Sequence, residues 1–253
     1  MTLELTSSVD SAEIEKFSKL AAQWWDPTGP FAPLHALNPI RLQYIRDVAA
    51  KHFGRDPRGR HPFDDLSLLD LGCGGGLLSE PMARMGFQVL GCDASEANIR
   101  AASSHAELNP DLSLIYRTAT AEDIAVDKAA FDVVLNMEVV EHVADVAAFL
   151  HTVASLVRPG GLIFVATINK TLKSLVLAKI AAEYVLRWLP AGTHEWNRFI
   201  APNEVERILE NAGLQPCLRQ GLDFDPIRWR WRLSPSTDVN YFVVGQRTLI
   251  QSI

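Results

Sequence analysis

The sequence predicts a doubly wound, Rossmann-like α/β fold with a mostly parallel sheet of seven strands. An apolar run at residues 68–71 passes through Asp70 into the glycine-rich stretch at residues 72–76. A second apolar run at residues 87–92 ends in another acid, Asp93. Strand and helix patterns then alternate along the chain, which is typical of parallel strands joined by crossover helices.

Local signals predict the elements of the first half. We expect a helix over residues 77–85, where Pro81 is tolerated in the first turn because amide hydrogens there lack intrahelical partners. Ser95 is predicted to cap a helix that runs to about residue 108. Residues 112–116 alternate in polarity as a strand does, and residues 131–137 are predicted to form a buried strand.

The second half continues the same alternation. The predicted elements are a helix at 144–157, a strand at 162–167 after Arg158-Pro159-Gly160-Gly161, a helix at 203–212 capped by Gly213, and strands at 214–219 and 240–246. Between the last two strands, residues 229–232 alternate tryptophan and arginine. On an acidic chain, this pattern favours an exposed hairpin strand over a surface that stacks on nucleic acid.

The composition bounds the class of protein. With 253 residues, 48% of them hydrophobic and 21% charged, the chain is long enough for one large domain. Its net charge of −6 argues against a nucleic-acid binder, which would carry a basic face. The three cysteines form no Cys-x-x-Cys pair, which favours a reducing cytosol. Residues 1–10 do not read as a secretory signal, and no apolar segment reaches the ~18 residues that span a bilayer.

The spacing of the glycines distinguishes two classes of nucleoside cofactor. A dinucleotide fingerprint begun at Gly72 and Gly74 would need a third glycine at position 77, where this chain has Leu77. That leucine disfavours a nicotinamide-dependent oxidoreductase. The pattern Asp-x-Gly-x-Gly-x-Gly, which begins at Asp70, resembles motif I of the class I S-adenosylmethionine-dependent methyltransferases. A carboxylate there suits a cationic cofactor, and Asp93 can accept from ribose hydroxyls. The remaining alternative is a tight turn that binds no ligand.

Three further blocks carry a more specific resemblance. They include Trp24-Trp25-Asp26 and Pro33-Leu34-His35 in the first, Gly192-Thr193-His194 in the second, and Asp238-Val239-Asn240-Tyr241 in the third. In these blocks the chain resembles the O-methyltransferases of ubiquinone biosynthesis. The resemblance implies an N-terminal helical lid and linker at residues 1–60, ahead of a class I methyltransferase domain at residues 61–253. The strongly apolar pattern after the fifth strand predicts a helical insertion at residues 170–192, and we expect all parts to form one structural domain.

The same resemblance implies contacts with S-adenosylmethionine at Arg41, Gly72, Asp93 and Met137. We add Gly74, which belongs to the same turn, and Glu122, which follows the third strand where similar enzymes bind adenine. Arg41 can pair with the carboxylate of the methionine moiety through charge-assisted hydrogen bonds. Met137 can pack on the adenine or the sulfonium arm.

The segment after residue 137 is predicted to carry the chemistry. Glu138, Glu141 and His142 stand at i, i+3 and i+4, which puts them on one face if the chain turns helical there. They could hold a divalent cation, which the resemblance also implies, although the mixed ligand set does not decide between Mg²⁺ and Zn²⁺. Alternatively His142 acts as a general base, with Glu141 as a second catalytic candidate.

The substrate that the resemblance implies is a polyprenylated catechol or the late demethylubiquinol intermediate, both with long apolar tails. Residues 170–189 are strongly apolar around a narrow polar stripe, which suggests that they lie on a membrane surface; a dimer interface or a packed lid is the alternative. We therefore expect a cytoplasmic protein on the inner membrane, with other quinone-biosynthesis proteins as possible partners and no nucleic acid. Two alternative functions are an O-methyltransferase of another catechol and a non-catalytic cofactor-binding scaffold.

Overall fold

The structure is a computed structural model that describes residues 10–171, 174, 199–225, 228 and 230–249. Most of the predicted insertion at residues 170–192 therefore lies outside the described residues. The helices are α1 (Ser11–Ser18), α2 (Ala32–His52), α3 (Ser79–Arg84), α4 (Glu96–Ala106), α5 (Ala121–Val126), α6 (Val146–Ser155) and α7 (Pro202–Asn211), with 3₁₀ turns at Ala21–Gln23 and Val140–His142. The strands are β1 (Ser67–Leu71), β2 (Gln88–Asp93), β3 (Leu114–Thr118), β4 (Phe131–Met137), β5 (Val157–Ile168), β6 (Gln215–Asp225), β7 (Arg230–Ser234) and β8 (Asn240–Gln246).

The described strands form one sheet in the order β3-β2-β1-β4-β5-β8-β6-β7. Strands β1 to β5 pair in parallel, and β8, β6 and β7 extend the sheet in antiparallel fashion. The predicted doubly wound fold is thus confirmed, but the sheet has eight strands where we predicted seven. The eighth is β7, which contains Arg230, Trp231 and Arg232 and pairs with β6 as the hairpin strand that the sequence favours at residues 229–232.

Strand β5 begins five residues earlier than predicted, at Val157. Pro159, Gly160 and Gly161 lie inside it, although a proline followed by two glycines normally ends an element. The strand tolerates them because its pairing with β4 is irregular between Phe131 and Val133, and regular pairing resumes at Leu162.

Helices cover both faces of the sheet. Helices α2 and α3 pack on one face around buried residues such as Ile45, Met82 and Phe164, and helices α5, α6 and α7 pack on the other around Leu150 and Val205. The carboxyl ends of β1, β2 and β4 consequently meet at one edge, which is where a doubly wound sheet binds its ligand.

A third, smaller cluster joins the N-terminal segment to the rest of the protein. Its buried members are Ala21, Trp24, Phe31 and Leu77, and α4 packs against it. The segment before α2 therefore lies over the turn that follows β1. Among the described helices, none is both long and apolar enough to cross a membrane.

Candidate active site

The glycine turn after β1 has the left-handed backbone that its sequence predicts. Gly72 and Gly74 have φ angles of 68° and 55°, which side chains with a Cβ rarely adopt. Space is equally restrictive: a Cβ on Gly72 would lie 2.5 Å from Val139 Cγ2, and one on Gly74 would lie 2.5 Å from the Trp24 ring. Both predicted positions thus require glycine, because the backbone is left-handed there and a Cβ would clash with a neighbouring side chain.

Asp93 ends β2 beside this turn, and its carboxylate is held by three N–H donors. Gly74 N donates to Oδ2 at 3.0 Å, while Ser95 N and Asn98 Nδ2 donate to Oδ1 at 2.8 and 3.2 Å. Burial nevertheless raises the pKa of the Asp93 carboxyl above its ordinary value, because desolvation outweighs these donors. The two predicted cofactor positions, the turn and the acid, are therefore in direct contact.

Asp70 lies in β1, two residues before Gly72, and its side chain is buried. Ser79 Oγ donates a hydrogen bond of 2.6 Å to its Oδ2. Burial raises the pKa of Asp70 to about 6, because removing the carboxylate from water disfavours its charged form. A cation beside this acid would restore the charged form, as the sequence argument requires.

The carboxyl end of β4 carries the second half of the site. Met137 is buried, and the next residue, Glu138, has a φ of 57°, which is uncommon for a residue with a side chain and is typical of constrained functional positions. The Glu138 carboxylate accepts a hydrogen bond from Arg41, which is 3% exposed. Arg41 was predicted to bind a ligand carboxylate; here it pairs with Glu138, and its Nε–H has no partner among the described residues.

Glu141 and His142 lie in the 3₁₀ turn that follows. Glu141 is 4% exposed and its Oε2 accepts a 2.8 Å hydrogen bond from Thr167 Oγ1. His142 is half-buried and meets the ring of Phe17 edge to face, with 5.4 Å between ring centroids. Burial and a hydrogen bond with Glu141 raise the pKa of Glu138, whereas Arg41 opposes this increase.

The helical face predicted for Glu138, Glu141 and His142 does not form. The turn contains only Glu141 and His142, because the left-handed backbone at Glu138 precedes it. No three His, Cys, Asp or Glu side chains in the described part of the chain are placed to hold a metal ion. Arg41 donates to the Glu138 carboxylate, and Thr167 donates to the Glu141 carboxylate. Glu138, Glu141 and His142 therefore do not form a preformed cation site. The metal ligands remain a prediction.

Glu122 lies in the first turn of α5, at the carboxyl end of β3. Its side chain is 8% exposed, and Oε2 lacks a hydrogen-bond partner among the described residues. Buried acceptors are normally satisfied, so this oxygen fits a donor from a ligand.

The N-terminal segment supplies functional contacts that local sequence patterns do not reveal. Trp24 stacks on Phe31 with 3.7 Å between ring centroids, and its ring covers Gly74. Trp25 Nε1 donates to Gly75 O at 2.9 Å, and the Trp25 ring stacks on His105. The tryptophan turn, as we call residues 24–25, therefore seals the glycine turn from the N-terminal side.

A cavity of about 210 Å³ is lined in part by Glu141. Six of its nine lining residues are apolar, but polar atoms make up more than half of its exposed surface, and Glu141, Lys170 and Glu204 contribute charged groups. The apolar lining is Val140, Val143, Ala144, Val146, Phe199 and Ile200.

Comparisons with known proteins identify the fold and the family of this chain. A family model described as a methyltransferase domain matches residues 40–218. Among solved structures, the chain is similar to a magnesium protoporphyrin IX methyltransferase from Synechocystis with bound SAH, at a TM-score of 0.63, 20% identity and coverage of 94% of this chain and 95% of that one. It is also similar to a SAM-dependent methyltransferase from Thermotoga maritima, described as a possible histamine N-methyltransferase, at a TM-score of 0.65, 13% identity and coverage of 92% and 99%. These two likenesses confirm the class I fold.

The curated relatives are much more similar in sequence. A ubiquinone biosynthesis O-methyltransferase of Sinorhizobium medicae is 56% identical over 96% of this chain and 98% of the relative. One from Rhizobium etli is 53% identical over 98% of this chain and 99% of the relative. The family resemblance and the enzyme class predicted from the sequence are thereby confirmed: the chain belongs to the ubiquinone biosynthesis O-methyltransferase family.

Proposed function

We propose that this chain methylates the phenolic hydroxyl of polyprenylated catechols and of the late demethylubiquinol intermediate, with S-adenosylmethionine as the methyl donor. The observation that carries this proposal is the similarity to ubiquinone biosynthesis O-methyltransferases over nearly the whole chain. The arrangement of the glycine turn, Asp93 and the β4 end supports it.

The cofactor would occupy the edge formed by β1, β2 and β4. Asp93 would accept from the ribose hydroxyls with its remaining lone pairs, and Gly72 and Gly74 would let the backbone approach. Glu122 Oε2, which lacks a partner among the described residues, would accept from the adenine amino group. The unpaired Nε–H of Arg41 leaves that guanidinium a donor for the methionine carboxylate.

When bound, S-adenosylmethionine supplies an electrophilic methyl group; the carbon–sulfur bond breaks as the carbon–oxygen bond forms. The acceptor phenol, with a pKa of about 10, must lose its proton to the protein as this happens. We assign that role to His142 because its ring is half-buried at the β4 end, where a doubly wound sheet binds its ligand. The tryptophan turn and Phe17 would keep water out.

The cavity beside Glu141 would receive the part of the tail next to the aromatic ring, against its apolar residues such as Val143, Phe199 and Ile200. Residues 170–189 lie almost entirely outside the described residues, and we propose from their apolar sequence that they hold the protein on the cytoplasmic face of the inner membrane. Binding of other quinone-biosynthesis proteins there stays a prediction. Co-sedimentation with liposomes tests the membrane contact: the variant Leu177→Asp/Leu186→Asp/Leu189→Asp should bind far less than the wild type, and equal binding would refute it.

The reaction is tested by incubating the protein with labelled S-adenosylmethionine and a short-chain prenyl catechol, with unprenylated catechol as the comparison. We expect the wild type to form labelled product and to prefer the prenylated acceptor. The Asp93→Ala variant should transfer no more label than a sample without enzyme. Turnover that survives a chelator would remove the predicted Mg²⁺ or Zn²⁺ from the reaction. Absence of product from both acceptors, with and without added divalent cation, would refute the proposed function.

A further inference from the structure

One side-chain amide joins the tryptophan turn to the predicted ribose acid. Trp24 Nε1 donates to Asn98 Oδ1 at 2.9 Å, and Asn98 Nδ2 donates to Asp93 Oδ1 at 3.2 Å. Asn98 is 2% exposed, so both of its polar groups depend on these partners. The bridge thus connects two parts of the site that lie far apart in the chain.

The chemistry of the two partners specifies an amide at this position. An indole N–H can only donate, and a carboxylate can only accept. The side chain between them must therefore present an acceptor to Trp24 and a donor to Asp93, which a carboxamide does in one orientation. An aspartate at position 98 would face Asp93 with a like charge. An apolar residue would leave the Trp24 indole N–H unpaired and would remove one of the three N–H donors to Asp93.

The bridge also belongs to a closed circuit of contacts. The Trp24 ring covers Gly74, and Gly74 N donates to the second oxygen of Asp93. Each carboxylate oxygen of Asp93 is thus connected to Trp24 through one intermediate residue: Oδ1 through Asn98 and Oδ2 through Gly74. The start of α4 is anchored to the N-terminal segment a second time, because Ser95 Oγ and Ser18 Oγ are 2.6 Å apart.

We propose that Asn98 is a positioning residue that couples docking of the tryptophan turn to the orientation of the Asp93 carboxylate. The inference rests on the proposed function in that Asp93 holds the ribose of the cofactor. Cofactor binding and docking of the turn then favour each other, because coupling between two sites is reciprocal.

The test is a double-mutant cycle on cofactor binding, measured by calorimetry with S-adenosylmethionine. We expect Asn98→Ala to weaken binding about tenfold, which corresponds to about 1.4 kcal/mol. Trp24→Phe, which keeps an aromatic ring against Phe31, should have a similar effect. The double variant should lose little more than either single one, since both changes break one bridge. Arg100→Ala is the matched control, because Arg100 lies on the exposed side of α4 in an ion pair with Glu96.

A second readout needs no cofactor. In the cofactor-free protein, the indole N–H resonance of Trp24 should move and exchange faster in Asn98→Ala but not in Arg100→Ala. An unchanged Trp24 resonance, or an additive hundredfold loss in the double variant, would overturn the inference alone. A wild-type protein that binds no S-adenosylmethionine would refute the proposed function and the inference together. If Asn98→Ala does not fold, the affinity of Trp24→Phe still decides whether the indole donor matters.

Discussion

Replacing Gly74 by alanine should separate the two reasons why this position is glycine. Its φ of 55° costs a residue with a Cβ about 1–2 kcal/mol. The new Cβ would also lie 2.5 Å from Trp24 Cη2, which is about 1 Å inside van der Waals contact. Trp24 cannot yield without losing its stack on Phe31 and its hydrogen bond to Asn98, and such overpacking costs about 1–3 kcal/mol. Gly74→Ala should therefore destabilise the protein by about 2–5 kcal/mol.

Gly213 provides the matched control. Its φ is 78°, and a Cβ built there meets nothing within 4 Å, so Gly213→Ala should show only the backbone cost of about 1–2 kcal/mol. The assay is equilibrium urea unfolding followed by far-ultraviolet circular dichroism, which does not depend on tryptophan. In a Trp24→Ala background, the cost of Gly74→Ala should fall to that of Gly213→Ala. The reasoning is refuted if Gly74→Ala is no more destabilising than Gly213→Ala in the wild-type background.

Three further substitutions test the charged and catalytic groups. The folded-state pKa of Asp70, about 6, lies above the unfolded value of about 3.9, so its carboxyl favours folding below pH 4 and this advantage is lost as pH rises to 6. Asp70→Asn should gain about 2–3 kcal/mol of unfolding free energy relative to wild type between pH 4 and pH 7, and a flat difference would contradict this. Arg41→Met should cost about 2–3 kcal/mol in urea unfolding, since it strands the Glu138 carboxylate, which is 23% exposed; adding Glu138→Gln should recover part of the loss, and no recovery would count against the ion pair. His142→Ala should lower kcat about 10²- to 10⁴-fold with cofactor affinity unchanged, whereas His151→Ala, at an exposed position of α6, should not; an undiminished kcat would remove His142 as the base.

Local sequence patterns were sufficient to predict the elements whose residues clearly favour one type of secondary structure. Strands β4 and β8 have the predicted bounds because each has an apolar centre, at residues 133–135 and 241–244, and Ser95 caps α4 as its position before the helix indicates. The contact between Asp93 and the glycine turn was also accessible, because a βαβ unit places the ends of two neighbouring strands together. These predictions required only information within about 30 residues of sequence.

The missed features are long-range or conformational. The Trp24–Asn98 and Arg41–Glu138 pairs join residues that are 74 and 97 positions apart, so no periodicity connects their members. The left-handed backbone at Glu138 could not be anticipated, since glutamate is not a residue that favours it. That single conformation explains why the predicted helical face of carboxylates did not form.

The two halves of the site are stabilised by different means, and this division suits methyl transfer. The half around Asp93 is fixed by backbone and amide donors and by the covering tryptophan, which is what orientation of a cofactor requires. The half around Glu138 combines an unfavourable backbone conformation with charged groups close to one another, and such an arrangement costs folding free energy. In this half, the buried Nε–H of Arg41 has no partner among the described residues, so Arg41 keeps a donor that a ligand could use. The rigid half would therefore hold the donor, while the strained half, at Glu138 and its neighbours, is where the acceptor and its departing proton must be accommodated.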